Sequence, residues 1–153
     1  MIANLNVQDR TTAEAVVRLQ RLAYRIEADL IGFDGIPPLH ETEEQLQQSE
    51  ERFRGYYAGD RLAGIIALEG EGSGEVTISR LAVDPAFIRQ GIGSALLEDA
   101  LRQETGATRF TLTTGERNVP AIRLYERYGF QLNGRMEVGP GIWLVCMEKE
   151  VTQ

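Results

Sequence analysis

An apolar strand, a loop and a glycine-rich helix start follow one another between Leu81 and Leu97, which read L-A-V-D-P-A-F-I-R-Q-G-I-G-S-A-L-L. Gly91 and Gly93 leave the first turn of the helix almost without side chains, so an anion can approach its backbone N–H groups. These groups and the helix dipole make a helix N-terminus suited to binding phosphate. A tight turn without a ligand explains a lone G-x-G equally well, so the surrounding sequence has to decide.

The composition predicts one globular domain spanning residues 1–153. Hydrophobic residues make up 42% and charged residues 25% of the chain, which is typical of a domain with a single core. No apolar run reaches the 18 residues of a membrane helix, and the N-terminus does not resemble a secretion signal. We therefore expect a cytoplasmic protein that has no membrane partner.

The net charge of the chain and its single cysteine indicate which ligands are unfavourable. With 23 acidic and 16 basic residues the formal net charge is -7, which disfavours binding to nucleic acid. Cys146 is the only cysteine and gives neither an internal disulfide nor a metal-ligand cluster. We expect no metal ion and no nucleic-acid partner.

Hydrophobic periodicity and turn residues predict alternating strands and helices. The N-terminal half contains a strand at 2–7, a helix from Thr11 or Thr12 to about Ile31, a loop at 32–40, a capped helix from Thr42 to about Ser49, and a hairpin of strands 53–58 and 61–69. After a glycine-rich turn at 70–74, the other half contains a strand at 75–83, a helix from Gly91 to Gly106, a strand at 109–113, a helix that Asn118 caps, and a hairpin of strands 132–138 and 142–148. A strand, a crossover helix and a strand form a right-handed parallel pair. We predict an α/β fold with one mixed sheet and helices on both faces.

A second motif covers Asn118 to Phe130, which read N-V-P-A-I-R-L-Y-E-R-Y-G-F. The helical spacing predicts a buried stripe of Ala121, Leu124, Tyr125 and Tyr128. Gly129 suits the left-handed position after a helix, where Phe130 would fold back onto Leu124 or Tyr125.

The two motifs resemble motifs A and B of the GCN5-related N-acetyltransferases, the GNAT superfamily. A dinucleotide-binding fold would need a third glycine, but Leu96 occupies that position. The family usually has glutamine or arginine three residues before the first glycine, and here Ile88 stands there, followed by Arg89 and Gln90. The resemblance implies a GNAT-like mixed sheet whose central parallel strand pair splays apart.

The resemblance implies acetyl-CoA as cosubstrate. The phosphates would bind at the helix start, and the pantetheine arm would pair with the backbone of the preceding strand. A free N–H near Val83 would polarise the thioester carbonyl. The residues implied in binding are Leu81, Ala82, Val83, Ile88, Arg89, Gln90, Gly91, Ile92, Gly93, Ser94 and Asn118.

The resemblance also gives candidates for proton transfer. Tyr125 occupies the family's general-acid position and would protonate or hydrogen-bond the leaving thiolate. Many relatives carry a glutamate on the strand before motif A, and Glu75 is the only carboxylate on that strand here. Glu75 would be the general base unless it lies at a solvated strand start, in which case water deprotonates the amine.

The acceptor is expected to be a small-molecule or peptide amine, which the sequence leaves unidentified. In the family the loop after the first helix lines the acceptor pocket, and here it contributes Phe33, Asp34 and His40. A run of glutamates at 41, 43, 44, 50 and 51 would attract a cationic acceptor or simply form a solvated face. A GNAT-like sensor without turnover and a nucleotide-binding regulatory domain stay open as alternatives. A homodimer formed through the C-terminal strands is also predicted.

Overall fold

A single mixed sheet runs through the computed structural model, which describes residues 1–70 and 74–151. The strands are β1 (Ile2–Leu5), β2 (Arg52–Ala58), β3 (Arg61–Glu69), β4 (Glu75–Val83), β5 (Arg109–Gly115), β6 (Gln131–Gly139) and β7 (Ile142–Glu150). Their order across the sheet is β1-β2-β3-β4-β5-β7-β6. The helices are α1 (Arg10–Ile31), α2 (Pro37–His40), α3 (Glu43–Gln47), α4 (Ile92–Gln103) and α5 (Val119–Arg127). The predicted α/β class with a mixed sheet is confirmed.

β4 and β5 form the one parallel pair among the described strands, and they separate along their length. Backbone pairing runs from Glu75 opposite Arg109 to Thr77 opposite Thr111, and beyond this point the two strands have no paired residues. A β-bulge at Ser79 interrupts the pairing of β4 with β3, and a bulge bends its strand. The space between residues 78–83 and 112–115 is called the strand gap below. The predicted splay is confirmed.

Two apolar cores hold the helices on opposite faces of the sheet. On one face α1 buries Val16 and Leu19 against residues such as Ile65 of β3. On the other face α4 buries Leu96 and Leu97 with α5 against the remaining strands. Because burying one such side chain contributes about 1.5–3 kcal/mol, both helix layers have fixed positions beside the strand gap.

The loop predicted at 32–40 contains a short helix, α2, which corrects the sequence interpretation. Pro37 and Pro38 occupy its first two positions, where the missing N–H groups would have no partner within the helix. The capping box of Thr42 and Gln45 is present as predicted, and α3 ends at Gln47. The predicted turn at 70–74 lies partly outside the described residues.

Two helix predictions need smaller corrections. The sequence predicts that α4 ends at Gly106. The helix ends three residues earlier, at Gln103, and Glu104 is its C-terminal cap. In the predicted stripe of α5, Tyr125 alone is fully buried, because the other members lie at the rim of the core. None of the described helices is long and apolar enough to cross a membrane.

Candidate active site

The backbone of β4 directs amides into the strand gap. The Asp84 N–H donates to the Ala63 carbonyl of β3 at 2.8 Å. Because successive strand residues direct their amides to alternate sides, the N–H groups of Leu81 and Val83 point the other way, into the gap. There the Leu81 backbone interacts with the Tyr24 hydroxyl, and the Val83 N–H has no partner strand. β5 supplies no paired residue at this level of the described sheet. An extended ligand can therefore add to β4 as an extra strand.

The first turn of α4 is open at the same end of β4. Gly91 precedes the helix with a φ of 75°, and no side chain caps the first amides. A Cβ at Gly93 would lie 3.6 Å from Leu124 Cδ2 and 3.9 Å from Val83 Cγ2. These are ordinary contact distances, so the fold itself does not require glycine at this position. The glycine instead leaves room beside the amides, between the end of β4 and α5.

The loop between β4 and α4 is exposed at its tip and fixed at its base. Ile88, Arg89 and Gln90 are exposed, and Arg89 has a left-handed φ of 67°, which is unusual for a residue other than glycine. At the base, buried Asp84 accepts from the Ala86 N–H at 2.9 Å and from Arg61 at 2.8 Å. These partners hold the loop end in place.

Tyr125 reaches the strand gap from α5. Its ring packs edge-on against Phe130, with 5.6 Å between ring centroids, as the sequence predicts. The Tyr125 hydroxyl has no hydrogen-bond partner in the described part of the chain. Every fully buried side-chain oxygen or nitrogen atom of the described residues does have a partner, so this hydroxyl is not fully buried. The hydroxyl is therefore open to the gap. Burial, and then the negative charge of Glu27, raise the pKa of Tyr125.

Two residues of α1 that sequence analysis did not single out face Tyr125. Tyr24 is buried, and burial raises its pKa although the Leu81 backbone acts in the opposite direction. Glu27 influences the pKa of both tyrosines. These residues of α1 and Tyr125 of α5 come from helices on opposite faces of the sheet.

Asn118 joins α5 to α1. Its Oδ1 accepts from the Ala121 N–H at 3.3 Å, which confirms the predicted helix cap. Its Nδ2 donates to Glu27 Oε1 at 2.8 Å. Both ends of the amide thus have protein partners, and a direct contact of Asn118 with the cofactor stays a prediction.

A signal for the missed residues is present in the sequence. Gln20, Tyr24 and Glu27 follow one another at spacings of four and three, on the same stripe of α1 that buries Ile31. Polar residues on the apolar stripe of a helix mark a site where something other than the core is contacted.

The structure does not bring Glu75 to this site. Glu75 begins β4, eight residues before Val83, which corresponds to roughly 26 Å along an extended strand. Its side chain is exposed and lies 3.9 Å from Arg109. The sequence pattern identifies the strand and its face but not the end at which the gap opens.

The predicted acceptor loop lies beyond the end of α1. Asp34 is exposed and pairs with Arg25 at 2.6 Å, so its charge is already balanced. His40 Nε2 lies 2.7 Å from the Asp34 carbonyl oxygen. Phe33 covers Gly35 and approaches Gly139 in the β6–β7 hairpin. His40 and Asp34 thus stabilise the loop.

The glutamate run is less available to a cation than the sequence suggests. Glu41 and Glu51 both bind the buried Arg80, with a distance of 2.7 Å for Glu51. Glu44 binds Arg10 at 2.9 Å. Three of the five carboxylates therefore serve the fold. Among the described residues no group of histidine, cysteine and carboxylate side chains has the arrangement of a metal site.

The chain matches only part of the length of its sequence relatives. The chain is 38% identical over 144 residues to the UPF0157 protein YqkA of Bacillus subtilis (strain 168), which is 94% of this chain and 42% of that protein. It is 34% identical over 93 residues to the spermine/spermidine N(1)-acetyltransferase of the same organism, which is 54% of this chain and 60% of that protein. The chain thus spans about two fifths to three fifths of these relatives.

The fold is shared with a solved acetyltransferase structure. The crystal structure of the PaiA N-acetyltransferase from Thermoplasma acidophilum in complex with coenzyme A has a TM-score of 0.79 to this chain at 19% identity, covering 99% of this chain and 98% of that one. The family model of the acetyltransferase (GNAT) domain matches residues 29–151. The chain belongs to the GNAT acetyltransferase family.

Proposed function

We propose that this domain transfers the acetyl group of acetyl-CoA to the amino group of a small molecule or peptide. The supporting observation is that three features share one strand gap: the open first turn of α4, the unpaired β4 edge at Val83, and the Tyr125 hydroxyl. Each feature matches a different part of a thioester substrate, and their common location favours acyl transfer over simple anion binding.

Each part of coenzyme A would have a place along α4 and β4. The amides of Ile92, Gly93 and Ser94 would bind the diphosphate, with the α4 dipole contributing roughly half a positive charge. Leu81, Ala82 and Val83 would pair with the pantetheine arm, and Ile88, Arg89, Gln90 and Gly91 would border the phosphates. The PaiA protein, which has a similar fold, was crystallised in complex with coenzyme A, and this supports coenzyme A as the ligand class.

The chemistry follows from the groups around the gap. The Val83 N–H would stabilise the oxyanion that forms when the amine attacks the thioester carbonyl. Tyr125 would donate to the departing sulfur. Since its pKa is raised, the phenol stays protonated at neutral pH and acts through a hydrogen bond that strengthens as charge develops on sulfur.

Thiol release tests the function directly. Acetyl-CoA is incubated with the protein and a panel of spermine, spermidine, lysine-containing peptides and small primary amines, and both free thiol and product mass are measured. The similarity to a spermine/spermidine acetyltransferase is the reason for the polyamines. Thiol release that depends on an amine, with a mass increase of one acetyl group, is expected.

The same assay distinguishes an enzyme from a sensor that binds acetyl-CoA without turnover. The sensor alternative is motivated by the exposed Ile88, which stands where the family motif has a polar residue. Thermal stabilisation by acetyl-CoA without release for any amine would favour the sensor. Stabilisation by NAD or ATP instead would favour a nucleotide-binding domain.

A further inference from the structure

Glu27 has no cationic partner among the described residues, unlike three of the more buried carboxylates. Asp84 binds Arg61, Glu51 binds Arg80, and Asp99 binds Arg54. Glu27 is half-buried on α1, and Asn118 is the one described side chain that hydrogen-bonds it. A shielded negative charge of this kind is costly unless a cation accompanies it.

The position of Glu27 indicates where that cation comes from. Its Oε1 accepts from Asn118 Nδ2 at 2.8 Å, so this carboxylate of α1 lies at the first turn of α5, the helix that carries Tyr125. Its charge also acts on Tyr24 of α1 and on Tyr125. The carboxylate therefore borders the gap on the α1 side, while α4 and the β4 edge occupy the coenzyme A side. A cation bound to Glu27 would therefore lie beside the proposed position of the thioester.

We propose that Glu27 binds the ammonium group of the acceptor and takes one of its protons, and that Asn118 is the residue that positions Glu27. This inference rests on the proposed acetyl transfer. It replaces Glu75 as the candidate base with a residue that borders the gap.

The proton balance is complete with the groups named. Glu27 takes one proton from the ammonium group, and the neutral nitrogen forms a C–N bond with the thioester carbon. The C–S bond then breaks, and the sulfur receives the proton of Tyr125. The second proton lost by the nitrogen restores Tyr125, and Glu27 returns its proton to water.

The electrostatics favour this division of roles. Burial raises the pKa of Glu27, and the hydrogen bond from Asn118 only partly opposes it, so the carboxylate is a better base than an exposed glutamate. Its charge is also one of the causes that raise the pKa of Tyr125. Once Glu27 holds a proton this cause disappears, so Tyr125 becomes a stronger acid when the sulfur needs it.

Glu27→Gln is the first test, because glutamine keeps an oxygen for Asn118 and removes the base. We expect kcat/KM for the best amine to fall at least 100-fold at pH 7, within the ~10² to 10⁴ range of general base catalysis. The loss should shrink as the pH rises toward the pKa of the amine, near 10.4 for a lysine side chain, since free amine then exists in solution. Calorimetry should give an unchanged Kd for coenzyme A, and Glu14→Gln, an exposed change on the same helix, should match the wild type.

Asn118→Asp is the second test, and it keeps a good helix cap. The added carboxylate removes the donor and raises the pKa of Glu27, so the acidic limb of the pH profile of kcat/KM should move to higher pH. A wild-type profile in both variants would overturn the role of Glu27 while leaving acetyl transfer intact. Failure of the wild type to acetylate any amine would instead overturn the proposed function together with this inference.

Discussion

At the scale of single residues, Tyr125 and Glu27 define this site. Tyr125 lacks a hydrogen bond within the described chain, and Glu27 lacks a salt bridge within it. The Tyr125 hydroxyl is instead open to the strand gap, and Glu27 accepts one hydrogen bond, from Asn118. In our proposal the substrate supplies the further partners of both groups.

Removing the Tyr125 hydroxyl should affect chemistry and spare binding. Tyr125→Phe keeps the ring against Phe130, so the fold should persist. We expect kcat to fall by ~10² to 10⁴, as is typical when a general acid is lost. Steady-state kinetics measure this effect, with calorimetry to show an unchanged Kd for coenzyme A.

Tyr128→Phe provides the control, at the C-terminal cap of the same helix. Tyr128 donates to Glu98 of α4 at 2.8 Å in an exposed hydrogen bond. Its loss should leave kcat unchanged. An equal effect of the two changes, or none of either, would remove Tyr125 from the mechanism.

The sequence predicts some of these residues better than others. Tyr125 is recognised because its motif fixes the helix and its spacing from Asn118. Glu27 is not, because it lies far away along the chain and comes near Tyr125 only through the contact of α1 with Asn118 at the start of α5. A strand pattern likewise places Glu75 on β4 but cannot tell that the gap opens at the other end.

At the scale of elements, the last turn of α1 approaches the end of β5 closely. A Cβ at Gly115 would lie 2.4 Å from Ile31 Cγ2, which is far inside van der Waals contact. Gly115 therefore allows the last turn of α1 to rest on the end of β5. Glu27 lies one turn earlier on the same helix.

Enlarging Gly115 should separate these two elements. We expect Gly115→Ala to cost roughly 1–3 kcal/mol through overpacking. For a domain of this size, Tm falls by roughly 2–4 °C for each kcal/mol. Thermal unfolding followed by circular dichroism measures the change.

Gly106→Ala is the control, since a Cβ there meets nothing within 4 Å. Its Tm should stay the same or rise slightly. An unchanged Tm for Gly115→Ala would show that α1 does not need this close contact.

The elements themselves are largely predictable, and their irregularities are not. The bounds of β3 and β4 match the sequence prediction, because their apolar residues and flanking turns are unambiguous. α2 was missed because two prolines usually break a helix but are tolerated when they begin one. The bulge at Ser79 depends on the pairing with β3, which no local pattern encodes.

At the scale of the whole molecule, some of the negatively charged side chains form salt bridges with the buried Arg80. Arg80 is 8% exposed and binds Glu41, Glu51 and Gln20, so it ties α1 and the α2–α3 segment to β4. The net charge of -7 alone suggested an acidic surface open to cations. The predicted homodimer stays a prediction, with Leu132 and Met136 of β6 exposed.

This network predicts a specific loss of stability in acid. Burial alone would raise the pKa of Glu51, but its bonds to Arg80 and Ser79 outweigh burial and lower it. A lowered pKa in the folded state stabilises the protein above the unfolded value, near 4.3, and this stabilisation is lost as the pH falls through the folded pKa. The Tm of the wild type should therefore fall steeply below about pH 4.

Glu51→Gln should lower Tm at pH 7 and flatten its decline in acid, because the titrating group is gone. Glu50→Gln, an exposed neighbour, should keep the wild-type slope. Identical slopes for wild type and Glu51→Gln in Tm measured from pH 7 to pH 3 would contradict this assignment.

Calorimetric titration of coenzyme A into the wild type and Gly93→Ala tests the central claim most directly. An added methyl group at Gly93 makes only ordinary contacts within the protein but fills the space beside the α4 amides. We predict binding to the wild type and at least tenfold weaker binding to Gly93→Ala, about 1.4 kcal/mol, at unchanged Tm. No heat with the wild type, or equal affinity in both proteins, would contradict the account.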